Sequence, residues 1–421
     1  MGDIGHGDRV KVVKDKKEFF GALMPSVTDF VVIKLDSGYN VGFAPEGVTM
    51  TLVEKGASLA EKRLPRPVRP ELPRLNIIST GGTIASKIDY RTGAVTSQFD
   101  ADDIIDAIPS LAEIANIDGT LLFNILSENM RPESWSELAQ CVYNEVRAGA
   151  DGVLVTHGTD TLGYSAAALS FMLQVPVPVV LVGSQRSADR PSSDNVVNAI
   201  CAAVAATSDL AGVFVVMHED ASDDTCLVHQ GTRTKKMHTS RRDAFRSVNA
   251  SPIARVSYQE RSLRFLCDHT DRGGCELSVR PQIEPKCALV KFFPGASPAI
   301  VDYYVAQGYR GLVIEGTGLG HVASDWISHV KKAADVMPVV MTSQCVYGRV
   351  CDRVYDTGRD LLSAGAIEGD DMLSETALVK LMWVLGQTSD RFEIARLLKT
   401  DVAGEISADA TRTRSTFEEL P

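Results

Sequence analysis

Two hydroxyl-rich loops hold the residues of this chain best suited to chemistry. The first is Ser79-Thr80-Gly81-Gly82-Thr83-Ile84-Ala85-Ser86, entered from a mostly apolar run at 75–78. Gly81 and Gly82 let the chain turn sharply and let a ligand approach the backbone. Thr83 then stands beside freed amide N–H groups, which suits a hydroxyl nucleophile next to an anion-stabilising site. A glycine-rich turn at a helix start, or a phosphate cradle, explains the same spacing. The missing Gly-Lys-Ser/Thr excludes a Walker loop.

The second loop is Thr156-His157-Gly158-Thr159-Asp160-Thr161, after another apolar run. Thr159 and Asp160 are good helix-capping types. They also fit catalysis: a threonine hydroxyl must pass its proton to a base, and Asp160 could orient a lysine for that task. The candidate lysines lie in Gly231-Thr232-Arg233-Thr234-Lys235-Lys236-Met237-His238-Thr239-Ser240-Arg241-Arg242. A solvated basic loop is the plain reading. A lysine desolvated against Asp160 could instead become a neutral general base.

Two weaker signals are better explained without chemistry. His218-Glu219-Asp220 could suggest a metal, but a loop after a strand accounts for it. Glu315-Gly316-Thr317-Gly318-Leu319-Gly320-His321 lacks the six-residue glycine fingerprint of a dinucleotide site.

The elements that must hold these loops follow a strand, loop, helix pattern from Arg74 onward. Apolar runs at 75–78, 152–155, 179–182 and 212–217 read as strands buried on both faces. Helical stretches at 164–173 and 194–206 lie between them, the latter rich in Ala with Ser193 or Asp194 as N-cap. Repeated β-α-β units imply a parallel sheet, and such sheets bind ligands at strand carboxyl ends, where both loops sit. After a polar link the pattern resumes with strands at 288–293, 311–314 and 339–341, a helix from Pro298 and a terminal helix at 375–385. This predicts a second, smaller α/β lobe.

Ahead of Arg74 the pattern differs. Residues 8–55 read as short strands with no helical period, and a small β-barrel fits. The run Leu64-Pro65-Arg66-Pro67-Val68-Arg69-Pro70-Glu71-Leu72-Pro73 can continue neither a helix nor a central strand, so it is a stiff spacer. The expected organisation is a barrel over 1–63, a linker over 64–73, a larger lobe with the active site over 74–270, a linker over 271–286 and a smaller lobe over 287–421.

Bulk properties narrow the class. With 421 residues, 44% apolar and 23% charged, the chain reads as a globular protein of two or three domains. A net charge of −11 makes it a poor non-specific nucleic-acid binder, so any RNA would be carried mainly by a partner. The eight cysteines form no Cys-x-x-Cys pair, which argues against zinc and for free thiols in a reducing cytoplasm. The N-terminus is no signal peptide, and no apolar run nears the roughly 18 residues of a membrane span.

Together the motifs resemble the two-threonine L-asparaginase/glutaminase family over about 74–400. The matching pieces are Thr80–Ser86, Thr156–Thr161, Val182-Gly183-Ser184-Gln185-Arg186 with Asp189 to Asp194, and Lys236-x-His238-Thr239. The resemblance implies a two-lobed asparaginase-like α/β fold, a homodimer through those lobes, and Thr83 as nucleophile. It places Tyr90 on a lid, assisting Thr83, and makes Thr159, Asp160 and Lys236 a second triad. Lys236 is preferred to Lys235 because the family lysine precedes an x-His-Thr pattern. Ser127 and Glu128 match the pair that holds the substrate's α-amino and α-carboxyl ends. Backbone N–H groups of the glycine-rich loops, at Gly82 and Gly158, would face the substrate.

With the barrel and proline spacer included, the whole chain resembles the D-subunit family of archaeal tRNA-dependent amidotransferases. That resemblance implies hydrolysis of L-glutamine, with L-asparagine as a second candidate. It also implies delivery of ammonia to a partner, the E subunit, in an assembly of two D and two E chains. The partner would use ATP and Mg2+ to aminate Glu-tRNA(Gln); this chain needs no cofactor and no metal. A free-standing asparaginase carrying an added barrel, and a docking subunit with a silent site, are the competing readings.

Overall fold

The computed structural model describes residues 4–24, 26, 29–37, 39–55, 68–81, 87–88, 95–96, 104, 107–186 and 192–407. Gly82, Thr83, Tyr90, Asp189 and residues 64–67 of the proline-rich run lie outside the described residues.

The N-terminal segment forms a five-stranded antiparallel sheet. Its order is Asn40–Phe43, Val31–Leu35, Lys17–Met24, Arg9–Lys14, Thr49–Glu54. Asp15 and Lys16 make the first hairpin with φ of 52° and 63°, the left-handed pair that a tight two-residue turn requires. Val10, Val12, Leu23, Ile33 and Phe43 form its core. The described ladder leaves Asn40–Phe43 and Thr49–Glu54 as outer strands.

The larger lobe is built on an eight-stranded sheet. Its order is Ser262–Phe265, Ala254–Ser257, Thr225–Gln230, Gly212–His218, Pro178–Val182, Gly152–Thr156, Arg74–Ser79, Asn116–Leu121. The last five run parallel, whereas the first three join antiparallel. The expected parallel sheet is present, and at this edge three antiparallel strands extend it. The chain steps from Arg74–Ser79 outward to Asn116–Leu121, then crosses to Gly152–Thr156 on the other side. The strand order therefore reverses between Arg74–Ser79 and Gly152–Thr156, the position at which open α/β sheets form a crevice.

The smaller lobe has a four-stranded parallel sheet in chain order: Cys287–Lys291, Gly311–Gly316, Val339–Ser343, Ile367–Glu368. One apolar core joins the lobes. It gathers Leu138 and Val142 of helix Pro132–Arg147, Ala166 and Leu169 of helix Leu162–Met172, and Leu381 and Val384 of helix Ser374–Gln387. Phe171 stacks on Trp383 across it, centroids 5.9 Å apart. Helix Asn195–Ala206 covers the opposite face of the large sheet.

Two expectations are corrected. Helix Ser374–Gln387 is not terminal: Arg391–Lys399 follows, with the Asp390 carboxylate capping Glu393 N–H at 2.8 Å. Asp194 precedes Asn195–Ala206 but does not cap it, because its carboxylate is used by the preceding loop. All eight cysteines are free. Among the described residues no helix is long and apolar enough to cross a membrane.

Candidate active site

Both hydroxyl-rich loops leave the sheet at the reversal point. Thr80 N–H and Oγ1 donate to Thr156 O at 3.1 and 2.8 Å, stitching the two strand ends together. Gly81 then takes φ +104°, and a side chain there would bring its Cβ within 2.4 Å of Ile125 O. Only glycine meets both demands. Gly158 is equally constrained: a Cβ would lie 2.7 Å from Ser127 Cβ.

At the second loop the expected side chains converge. Lys236 Nζ donates to Thr159 Oγ1 at 2.9 Å and to Asp160 Oδ1 at 2.7 Å. Lys236 arrives on a short strand, Thr234–Lys236, paired antiparallel with Phe245–Ser247. Thr159 is buried, Lys236 largely so, and Asp160 opens to solvent. The alternation of the strand sends Lys235 the other way, to Glu375 on the smaller lobe. Helix Leu162–Met172 begins just beyond, so its partly positive N-terminus faces the same loop.

Ser127 and Glu128 fall on one 3-10 turn, Ser127–Asn129. Ser127 is buried over Gly158, and its carbonyl accepts from Thr161 Oγ1 at 2.7 Å. Glu128 is exposed and, among the described residues, makes no hydrogen bond or ion pair. His321, at the end of the glycine-rich Glu315–His321 run, sits on the smaller lobe in edge-to-face contact with Tyr355.

Sequence reasoning missed the machinery beneath the triad. Asp194, fully buried, accepts from Ser184 Oγ, Gln185 N, Arg186 N and Asn198 Nδ2 at 2.8 to 3.0 Å. This pins Gln185 with Oε1 3.5 Å from Thr159 Oγ1, while its buried Nε2 has no partner among the described residues. Asn198 Oδ1 meets His218 Nδ1 at 2.6 Å, and His218 Nε2 meets Asp223. The His218-Glu219-Asp220 signal is thus a hydrogen-bonded support. Among the described residues no group of three or more His, Cys, Asp or Glu could hold a metal ion.

Comparison with known proteins agrees with this architecture. The profile described as asparaginase, N-terminal, matches residues 74–268, and the glutaminase/asparaginase C-terminal domain matches 286–398. A GatD N-terminal domain matches 4–53. The glutamyl-tRNA(Gln) amidotransferase D subunit of Methanosarcina acetivorans is 57% identical over 95% of this chain and 98% of its own. The chain belongs to the glutamyl-tRNA(Gln) amidotransferase D-subunit family. The Pyrococcus furiosus member is 51% identical, covering 95% of this chain and 94% of its own. Among solved structures, the thermostable L-asparaginase from Thermococcus kodakarensis superposes with a TM-score of 0.72 at 34% identity, over 80% of this chain and 100% of its own. The family's asparaginase-like part thus corresponds to the two lobes, and its added N-terminal part to the antiparallel sheet.

Proposed function

We propose that this chain is the glutamine-hydrolysing subunit of a tRNA-dependent amidotransferase. The observation that carries the reading is the bond pair from Lys236 Nζ to Thr159 Oγ1 and Asp160 Oδ1, set at the sheet's reversal point. In this reading Thr83 Oγ attacks the side-chain carboxamide carbon, and Tyr90 takes the hydroxyl proton and returns it to the leaving nitrogen. The oxyanion is held by backbone N–H groups at Gly82 and around Gly158 and Thr159. Ammonia leaves and an acyl ester remains on Thr83. Thr159, Asp160 and Lys236 position and deprotonate water, which cleaves the ester to glutamate and restores Thr83. Ser127 and Glu128 bind the α-amino and α-carboxyl ends. The site needs no cofactor or metal, because water and side chains balance every proton.

The name of the relatives supports the rest. Ammonia passes to the E subunit, which uses ATP and Mg2+ to convert Glu-tRNA(Gln), while two copies of this chain pair through the asparaginase-like lobes. An acidic chain fits a role in which the partner grips the tRNA. The test is ammonia release from glutamine and asparagine, with the chain alone and with the E subunit and charged tRNA. Thr83→Ala and Lys236→Ala are each expected to lose at least about 1,000-fold while staying folded. Normal turnover in either defeats the assignment. Full activity without the partner selects a free-standing asparaginase or glutaminase, and silence under all conditions a docking role.

A further inference from the structure

His157 lies in the Thr156–Thr161 loop, and the mechanism above gives it no task. It is fully buried. Its Nδ1 sits 2.7 Å from Gly158 O, and its Nε2 sits 2.8 Å from Ser165 Oγ on helix Leu162–Met172. Ser165 Oγ in turn lies 2.9 Å from Trp135 Nε1 on helix Pro132–Arg147. A carbonyl only accepts and an indole N–H only donates. One proton arrangement therefore satisfies the chain of bonds: Trp135 N–H donates to Ser165, Ser165 O–H donates to His157 Nε2, and His157 Nδ1–H donates to Gly158 O. The imidazole is neutral, and burial pushes its pKa down to about 4.

This arrangement fixes a backbone group at the site. Gly158 C=O and Thr159 N–H share one trans peptide plane and point in opposite directions. With the carbonyl drawn onto the buried imidazole, Thr159 N–H points the opposite way, away from His157, on the residue whose Oγ1 meets Lys236. Among the described residues Thr159 N–H has no acceptor. We infer that His157, locked by Ser165 and Trp135, is a positioning residue that aims the Thr159 N–H at the oxyanion of the substrate carboxamide. The inference deepens the amide-hydrolysis reading and rests on it for its kinetic consequence.

The test exploits the two imidazole nitrogens. His157→Asn sets an amide N–H where Nδ1 stands and keeps the bond to Gly158 O; His157→Gln sets it where Nε2 stands and loses that bond. Ammonia release from glutamine by the assembled complex should fall about 100-fold in kcat for H157Q, as when one oxyanion donor is removed. KM should stay within about threefold, because ground-state carbonyl binding uses the donor far less than the transition state does. H157N should keep at least about a third of wild-type kcat. Ser165→Ala should share the H157Q pattern in milder form. Equal kcat in H157N and H157Q, or an effect confined to KM, overturns the inference. Crystal structures of both variants supply a readout independent of turnover. The Gly158 carbonyl turned into the crevice in H157Q and not in H157N supports the inference; an unmoved peptide in H157Q defeats it. A wild-type complex that releases no ammonia would defeat the amide-hydrolysis reading, while the peptide orientation still decides the role of His157.

Discussion

Adjacent lysines show how finely strand geometry selects a residue. Lys235 and Lys236 are chemically the same and stand on one three-residue strand, yet successive side chains on a strand face opposite sides. Lys236 reaches Thr159 and Asp160; Lys235 pairs with Glu375 across the lobes. Resemblance to the family's x-His-Thr pattern singled out Lys236, and the pleat explains why only one of the two can serve. The two therefore separate by experiment. Lys235→Met should hold ammonia release within about threefold and cost about 1 kcal/mol of stability or less, because its ion pair is partly solvated. Comparable kinetic losses in Lys235→Met and Lys236→Met would show that general positive charge, not the Lys236 geometry, is what the site requires. His157 was not legible at this scale. Its partners lie 8 and 30 residues from their neighbours in the bond chain, on two different helices, and nothing local in the sequence marks those contacts.

At the scale of elements, the strands and helices that carry the loops were readable because buried parallel strands are short apolar runs separated by helical stretches. The strands Thr225–Gln230 and Ala254–Ser257 were not, since the first is buried from Cys226 to His229 without alternation and the second alternates over only four residues. Asp194 was misread for a related reason. Its type and position suit an N-cap, but four donors from the Ser184–Arg186 loop and Asn198 claim the carboxylate instead. Through the Gln185 N–H bond this aspartate sets where Gln185 stands beside Thr159. Asp194→Asn replaces one acceptor oxygen with a donor facing N–H groups. It should cost about 1–3 kcal/mol of folding stability, the usual penalty for a buried unpaired polar group. It should also raise KM for glutamine through a displaced Gln185. Chemical denaturation and steady-state kinetics check the two effects. A D194N protein with wild-type denaturation midpoint and KM would mean the loop is held by other contacts.

At the scale of the whole molecule, two buried aspartates on the smaller lobe pull stability in opposite directions with pH. Asp371 ties the lobes together through Arg233 of the larger lobe at 3.0 Å, and both side chains are buried. Burial alone would raise its pKa, but Arg233 and Ser407 outweigh it and hold the carboxyl below the ordinary range. A depressed carboxyl stabilises the fold above the unfolded value, and that contribution is lost as pH falls through the folded value. Asp352 is the converse: it is fully buried, both carboxyl oxygens lack hydrogen-bond partners among the described residues, and Glu368 stands nearby. Burial first, and Glu368 second, push its pKa up to about 7 from an ordinary 3.8. Between those values the folded chain holds a proton that the unfolded chain has released, so stability falls as pH rises from about 4 to 7. Asp352→Asn removes that penalty. Its gain in Tm should be near zero at pH 4, grow steadily to pH 7 and level off above it, reaching roughly 2–6 °C for a penalty of a few kcal/mol. Asp371→Asn should act in a different window: its loss should stay constant from pH 7 to about 5 and shrink only as pH falls below about 4, through the depressed folded value. Thermal unfolding of the three proteins from about pH 2 to 8 resolves both slopes. A D352N gain that does not change with pH would mean that the carboxyl is already neutral, or already paired, throughout that range.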